Sequence, residues 1–172
     1  RGLSINLATA YFVPKPFTPF QWEAQITPEE YLRRVHLLQE NIHSRSIDYR
    51  YHESNLSQLE AVLARGDRRL GPVLLAAQRL GWKLDEYFRY DLWMQAFREV
   101  GVDPMFYTTR GFGEDEILPW STISVGVSDG FFRREREKAY RSEVTPDCRT
   151  KCAGCGARRL SEEGKCDESA SV

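Results

Sequence analysis

Leu3-Ser4-Ile5-Asn6-Leu7-Ala8-Thr9-Ala10-Tyr11-Phe12-Val13 is the stretch whose reading sets the fold class. Its polar and apolar residues alternate only in part, and so apolar a run suits a buried strand. Pro14-Lys15-Pro16-Phe17-Thr18-Pro19 follows it. Proline has no backbone N–H and a fixed φ, so this segment neither joins a ladder nor continues a helix. It reads as a stiff, extended loop leaving a strand end. Thr27-Pro28-Glu29-Glu30 is then a helix start. Thr27 caps, Pro28 suits the first turn, and Glu30 completes a capping box. Tyr31, Val35, Leu38 and Ile42 recur at helical spacing and predict a helix over 28–45. Ile47-Asp48-Tyr49-Arg50-Tyr51 alternates like a short strand. Strand, helix, strand, followed by several helices, indicates an α/β chain.

The later segments are helical. Ser54 or Asn55 caps a helix carrying Leu56, Leu59, Val62 and Leu63, which ends near Gly66. A third helix is predicted over 69–80, stopping at Gly81, and a fourth over 84–100, stopping at Gly101. Residues 104–124 read as loop. A last helix is expected over 128–141, capped by Ser128 or Asp129, with a charged, solvated face of i,i+4 pairs. From Pro146 onward the chain is rich in Cys, Gly and charge and almost lacks large apolar side chains. Such a tail cannot build its own core, and a metal would substitute for one.

The 172 residues suffice for one domain with a short appendage. Apolar residues at 41% and charged residues at 28% exclude wholesale disorder. No apolar run approaches the ~20 residues of a membrane span. With 24 basic and 25 acidic residues, the formal net charge of −1 gives no general argument for nucleic acid. The chain starts at Arg1, has no signal peptide, and reads as a fragment whose natural beginning is missing. All four cysteines lie near its end, which points to a local metal site in a reducing, cytoplasmic compartment and not to a disulfide framework. His36, His43 and His52 show no ligand spacing to one another or to the cysteines.

The sharpest local motif is Cys148-Arg149-Thr150-Lys151-Cys152-Ala153-Gly154-Cys155-Gly156. Its spacing wraps three thiolates around one small volume, and the glycines permit tight turns. Cys166 is a candidate fourth ligand for a tetrahedral zinc site. Three cysteines with an external ligand suit an iron–sulfur cluster instead, and free thiols in a frayed tail are the remaining reading. Cys-x3-Cys-x2-Cys is also the spacing of the radical S-adenosylmethionine cluster motif. That motif is followed by most of a barrel, for which too little chain remains after Cys155.

Phe12-Val13-Pro14-Lys15-Pro16-Phe17-Thr18-Pro19-Phe20-Gln21-Trp22, Ser57-Gln58-Leu59-Glu60, Arg65-Gly66-Asp67-Arg68-Arg69, Leu118-Pro119-Trp120 and Thr145-Pro146-Asp147-Cys148 together carry a resemblance. Over nearly its whole length the chain resembles the C-terminal half of the catalytic region of radical S-adenosylmethionine proteins associated with a cobalamin-binding domain. The resemblance implies a partial (β/α) barrel, helix-rich, ending in the small cysteine-rich metal-binding tail. Residues 1–127 would be barrel and linking helices, 128–145 a terminal helix, and 146–172 the tail. It implies that the intact protein uses a [4Fe-4S] cluster and S-adenosylmethionine, with cobalamin in a further domain as an optional cofactor. The cluster-binding cysteines would lie in the missing N-terminal part, which makes this piece inactive alone. The substrate stays unknown.

The remaining site residues have two readings each. Lys15, the only charge among prolines and aromatics, faces a ligand anion or is the solvated end of a hydrophobic clamp. Phe17, Phe20 and Trp22 are core or a substrate platform. Ser57 and Glu60, at i,i+3, contact adenosylmethionine or substrate, or brace a helix-to-turn junction with Arg65 or Arg68. Arg65, Arg68 and Arg69 form an ion-pair cluster at a helix end, or a phosphate or RNA contact. The alternative function is accordingly a non-enzymatic zinc- or RNA-binding module built on the cysteine knuckle and the arginines.

Overall fold

The computed structural model describes residues 2–81 and 88–160. It holds strands β1 (Ile5–Thr9) and β2 (Ile47–Tyr51), and helices α1 (Pro28–Asn41), α2 (Ser54–Arg65), α3 (Leu70–Arg79), α4 (Tyr90–Val100), α5 (Met105–Thr108) and α6 (Asp129–Tyr140). A single 3₁₀ turn covers Ala157–Leu160. The chain is thus α/β and helix-rich, with one small parallel sheet and no barrel among the described residues. No described helix is long and apolar enough to cross a membrane. The chain divides into two compact units, Arg1–Pro14 with Glu23–Gly111, and Lys15–Trp22 with Phe112–Val172.

In the first unit, β1 and β2 pair in parallel with Ile5 opposite Ile47 and Thr9 opposite Tyr51. Helix α1 makes the crossover that a parallel pair requires. Thr27 caps α1 by accepting from the Glu30 N–H at 3.3 Å. Glu30 itself turns to Arg33 and Arg34 at 2.6 and 2.7 Å. Those guanidiniums hold its carboxyl down at about 2. The helix ends at Asn41, short of the expected 45. No glycine follows it, and Ile42 is already extended on the way to β2. Tyr31 and Val35 fasten α1 inward. Tyr31 stacks on Tyr11 at 4.4 Å between ring centroids and donates to the His52 carbonyl at 3.0 Å. Burial pushes the Tyr11 hydroxyl up to about 12.

The expectation of a buried strand at 3–13 needs correction. The strand covers only Ile5–Thr9, and Leu3, Ile5 and Leu7 are 76%, 43% and 37% exposed. The apolar run is that of a sheet interior, but among the described residues only β2 pairs with it.

The helices make the main core. Leu59 and Val62 of α2, Leu70, Val73 and Ala77 of α3, Trp93 and Phe97 of α4, and Tyr107 of α5 are buried together. Each large side chain removed from water in this way contributes roughly 1.5–3 kcal/mol. Glu53, not Ser54 or Asn55, caps α2, accepting from the Leu56 N–H at 3.1 Å. Gly101 closes α4 in the left-handed region at φ 72°, as its position predicts. The expected start of that helix at 84–87 lies outside the described residues, and Tyr90 is the first helical residue seen. Within the expected loop 104–124, Met105–Thr108 forms the short α5.

The second unit has its own core of Trp22, Phe112, Leu118, Trp120 and Phe132. Phe112 and Trp120 meet edge to face at 5.7 Å. Ser128 caps α6 by accepting from the Phe131 N–H at 3.2 Å. Two arginines of α6, Arg133 and Arg136, reach out of the helix to Glu114 at 3.1 and 2.8 Å.

Candidate functional site

Helix α2 ends on the residue with the most unusual surroundings in the first unit. Arg65 is fully buried. Its Nε donates to the Tyr107 carbonyl at 2.8 Å, and its two terminal nitrogens donate to the carbonyls of Pro14 at 3.3 Å and Arg110 at 3.5 Å. Burial pulls its pKa down to about 10, with Arg110 adding to the effect and Glu23 opposing it. It remains cationic at neutral pH. The geometry is that of a clasp on three carbonyls of two remote backbone segments. Gly66 follows because a Cβ there would come within 2.8 Å of the Val62 carbonyl and collide with Leu70.

The rest of that arginine string is tied down differently. Arg69 is bidentate on Asp67, with its terminal nitrogen at 2.6 Å, and lies over the Phe106 ring at 5.1 Å. Hydrogen bonds from Arg69 hold the Asp67 carboxyl at about 2, helped by the Tyr107 hydroxyl, which donates to it at 3.1 Å. Of the two readings of Arg65, the structural brace is therefore the one seen, but its acceptors are carbonyls. Ser57 is 5% exposed within α2, whereas Glu60 faces outward. The three α2 residues do not converge on one open surface. Lys15 belongs to the second unit and is exposed, and its carbonyl accepts from the Thr18 hydroxyl at 2.8 Å.

In the Lys15–Trp22 segment the buried polar residue is Gln21. Its side-chain oxygen accepts from the Trp120 indole at 2.7 Å and from the Phe17 N–H at 3.1 Å. Phe17 sits at φ 57°, in the left-handed region that a phenylalanine rarely adopts. Trp22 is core, 3% exposed, with Arg133 over its ring at 5.3 Å. Platform use of Trp22 would require it to leave that core. Sequence reading missed Gln21 as the organiser of this turn. Its signal was a lone amide between two aromatic residues.

The second unit also places two of the tail cysteines together. A cavity of about 490 Å³ is lined by Ser124, Ser128, Cys152, Cys155 and Arg158, among others. The backbone does not fray here. The Cys155 carbonyl accepts from the Ser128 N–H at 2.8 Å, and the Ala157 N–H donates to the Cys155 sulfur at 3.4 Å. Gly154 and Gly156 take φ of 68° and 99°, and a Cβ on Gly156 would stand 3.0 Å from the Gly126 carbonyl. Cys148 is exposed and is not part of that lining, and Cys166 lies outside the described residues. Among the described residues, no three Cys, His, Asp or Glu side chains are grouped to hold a metal ion. The expected wrap of three sulfurs around one volume is therefore not seen among the described residues, where Cys152 and Cys155 share only the lining of this cavity. Ser124, Ser128 and Arg158 were not foreseen, because their approach depends on the turn at Gly126 meeting the turn at Gly156.

Compared with protein-family models, curated proteins and solved structures, the chain matches none.

Proposed function

We propose that this chain is the closing part of a partial (β/α) barrel in a radical S-adenosylmethionine enzyme and that it supplies wall and substrate-side loops. One observation carries the reading. The β1–α1–β2 unit is parallel, yet its strands leave Ile5, Leu7 and Tyr51 partly in water. Parallel sheets are ordinarily covered on both faces, and two strands alone are marginal. Further strands beside this pair, as in a larger barrel, would cover those residues. The sequence strings from Phe12 to Trp22 and from Arg65 to Arg69 point the same way by resemblance.

In barrels of this type, chemistry takes place at the C-terminal ends of the strands. Here those ends carry Thr9, Tyr49, Tyr51 and His52. The Thr9 and Tyr49 hydroxyls are bonded at 2.8 Å, and the Thr9 carbonyl accepts from the His52 N–H at 3.1 Å. This rim, with outward-facing Glu60 of the same unit, is the chain's offering to a substrate. Among the described residues no three Cys, His, Asp or Glu side chains converge to hold a cluster. No step is routed through one, and Arg65, being sealed in, contributes as a clasp and not as a contact.

The test is the gene that encodes this segment, expressed whole. After anaerobic iron and sulfide reconstitution and reduction, the full protein is expected to cleave adenosylmethionine to 5′-deoxyadenosine. Deleting β1 through β2 should remove that activity. A reading frame that encodes no cysteine triad before this segment overturns the proposal. So does a reduced full-length protein that releases no 5′-deoxyadenosine.

A further inference from the structure

The geometry points to a mononuclear zinc site seeded by Cys152 and Cys155 and closed by Cys148, separate from any cluster that acts on adenosylmethionine. Cys152-Ala153-Gly154-Cys155-Gly156-Ala157 has the internal features of a metal-binding knuckle. Two cysteines three residues apart line one cavity. Left-handed Gly154 lies between them, and left-handed Gly156 follows the second. The backbone N–H two residues beyond Cys155 returns to its sulfur at 3.4 Å. A free thiol gains little from such a donor. A metal-bound thiolate gains a great deal, because outer N–H groups spread its charge and fix its lone pairs toward the ion.

The surroundings fit the same purpose. The knuckle is anchored from outside by the bond from the Ser128 N–H to the Cys155 carbonyl at 2.8 Å. Arg158 on the lining offsets the negative charge that thiolates bring. Cys148 precedes Cys152 by one short turn, in which the Thr150 N–H and hydroxyl bond the Asp147 carbonyl at 2.9 and 2.8 Å. Cys148 is exposed and outside the cavity lining, so this turn has to rearrange on metal binding for a third sulfur to reach the ion, a coupling of binding to local folding. Zinc takes sulfur ligands at tetrahedral angles, and water can complete its shell. On binding, each thiol gives its proton to solvent and forms one sulfur–metal bond, with no change of oxidation state.

The experiment uses the whole chain, reduced and metal-free, titrated with Zn²⁺ alone and with Co²⁺ alone. The expected result is about one ion per chain and the intense visible bands of tetrahedral thiolate-bound cobalt, bleached by zinc. Cys152→Ser and Cys155→Ser should each weaken zinc binding by more than about a hundredfold. Gly156→Ala, which keeps every sulfur, should weaken it by roughly tenfold through the displaced N–H donor. If the cysteine variants fail to fold, the zinc and cobalt titrations of the unaltered chain still decide. An unaltered reduced chain that takes up no zinc overturns the proposal. Zinc binding that survives in the Cys152→Ser, Cys155→Ser double variant overturns it too, as does an iron–sulfur cluster that assembles on these cysteines and is not displaced by zinc. None of these outcomes bears on adenosylmethionine cleavage by the full-length protein.

Discussion

Within the first unit, α2, α3 and α4 bury Val62, Val73, Trp93 and Phe97 to 1% exposure or less, whereas β1 leaves Ile5 and Leu7 at 43% and 37%. Both parts are rich in apolar residues, and both are built from regular, well-formed elements. The difference is in closure. Each core-facing stripe of the helices meets another helix, and the clasp at Arg65 seals their edge. Strand β1 presents the same type of side chain and, among the described residues, pairs with β2 alone. Hydrophobicity thus reports what a segment is prepared to bury, and it does so whether or not the covering element is at hand.

The contrast can be broken at its strong side first. Trp93→Ala should cost about 3–5 kcal/mol, the range of an aromatic deletion in a packed interior. Denaturant unfolding followed by circular dichroism measures it, and a loss below 1 kcal/mol would mean that the helical layer is not the stable part. Arg65→Met comes next, at about 3 kcal/mol, because it leaves the carbonyls of Pro14, Tyr107 and Arg110 without their cationic donor. Arg65→Lys should recover only part of this, since an ammonium cannot span three fixed acceptors.

Smaller effects sharpen the boundary between the two parts. Asp67→Asn should cost about 1 kcal/mol at neutral pH. The folded Asp67 carboxyl titrates at about 2, below its ordinary 3.8. Its contribution is therefore complete above the unfolded value and is lost as pH falls through about 2. The Asn variant should flatten the stability profile across that acid window, as read by unfolding at a series of pH values. Leu7→Ser is the smallest, within about 0.5 kcal/mol in this chain, as for surface substitutions generally. If the proposed larger barrel covers β1, the same change in that barrel should cost several times more. Equal losses in the two contexts would show that nothing covers β1.

Much of this was legible in the sequence because local chemistry governs it. Thr27 with Pro28, Ser128 ahead of Phe131, and Gly101 after Val100 each mark a helix end through a cap or a left-handed turn, and the structure uses all three. Ile47–Tyr51 is a strand where its alternation put one. Features set by remote contacts were not legible. The identity of Arg65's partners depends on where residues 107–110 return, and no spacing rule reaches that far. The approach of Cys155 to Ser128 depends on two separate turns meeting. The end of α1 at Asn41 was misjudged because the demand for extended backbone before β2 outweighs the helical periodicity that runs on to Ile42.

The clasp at Arg65 also has a meaning in time. Its acceptors lie 42, 51 and 45 positions away along the chain. Long loops must close before any of them arrives, and until then the guanidinium is better served by water. Arg65 is therefore among the last groups to dehydrate as the unit assembles, a latch that engages only on a nearly finished structure. Substituting it should hasten unfolding and leave the folding rate almost unchanged. Stopped-flow measurements showing slowed folding instead would place the latch at the start of assembly.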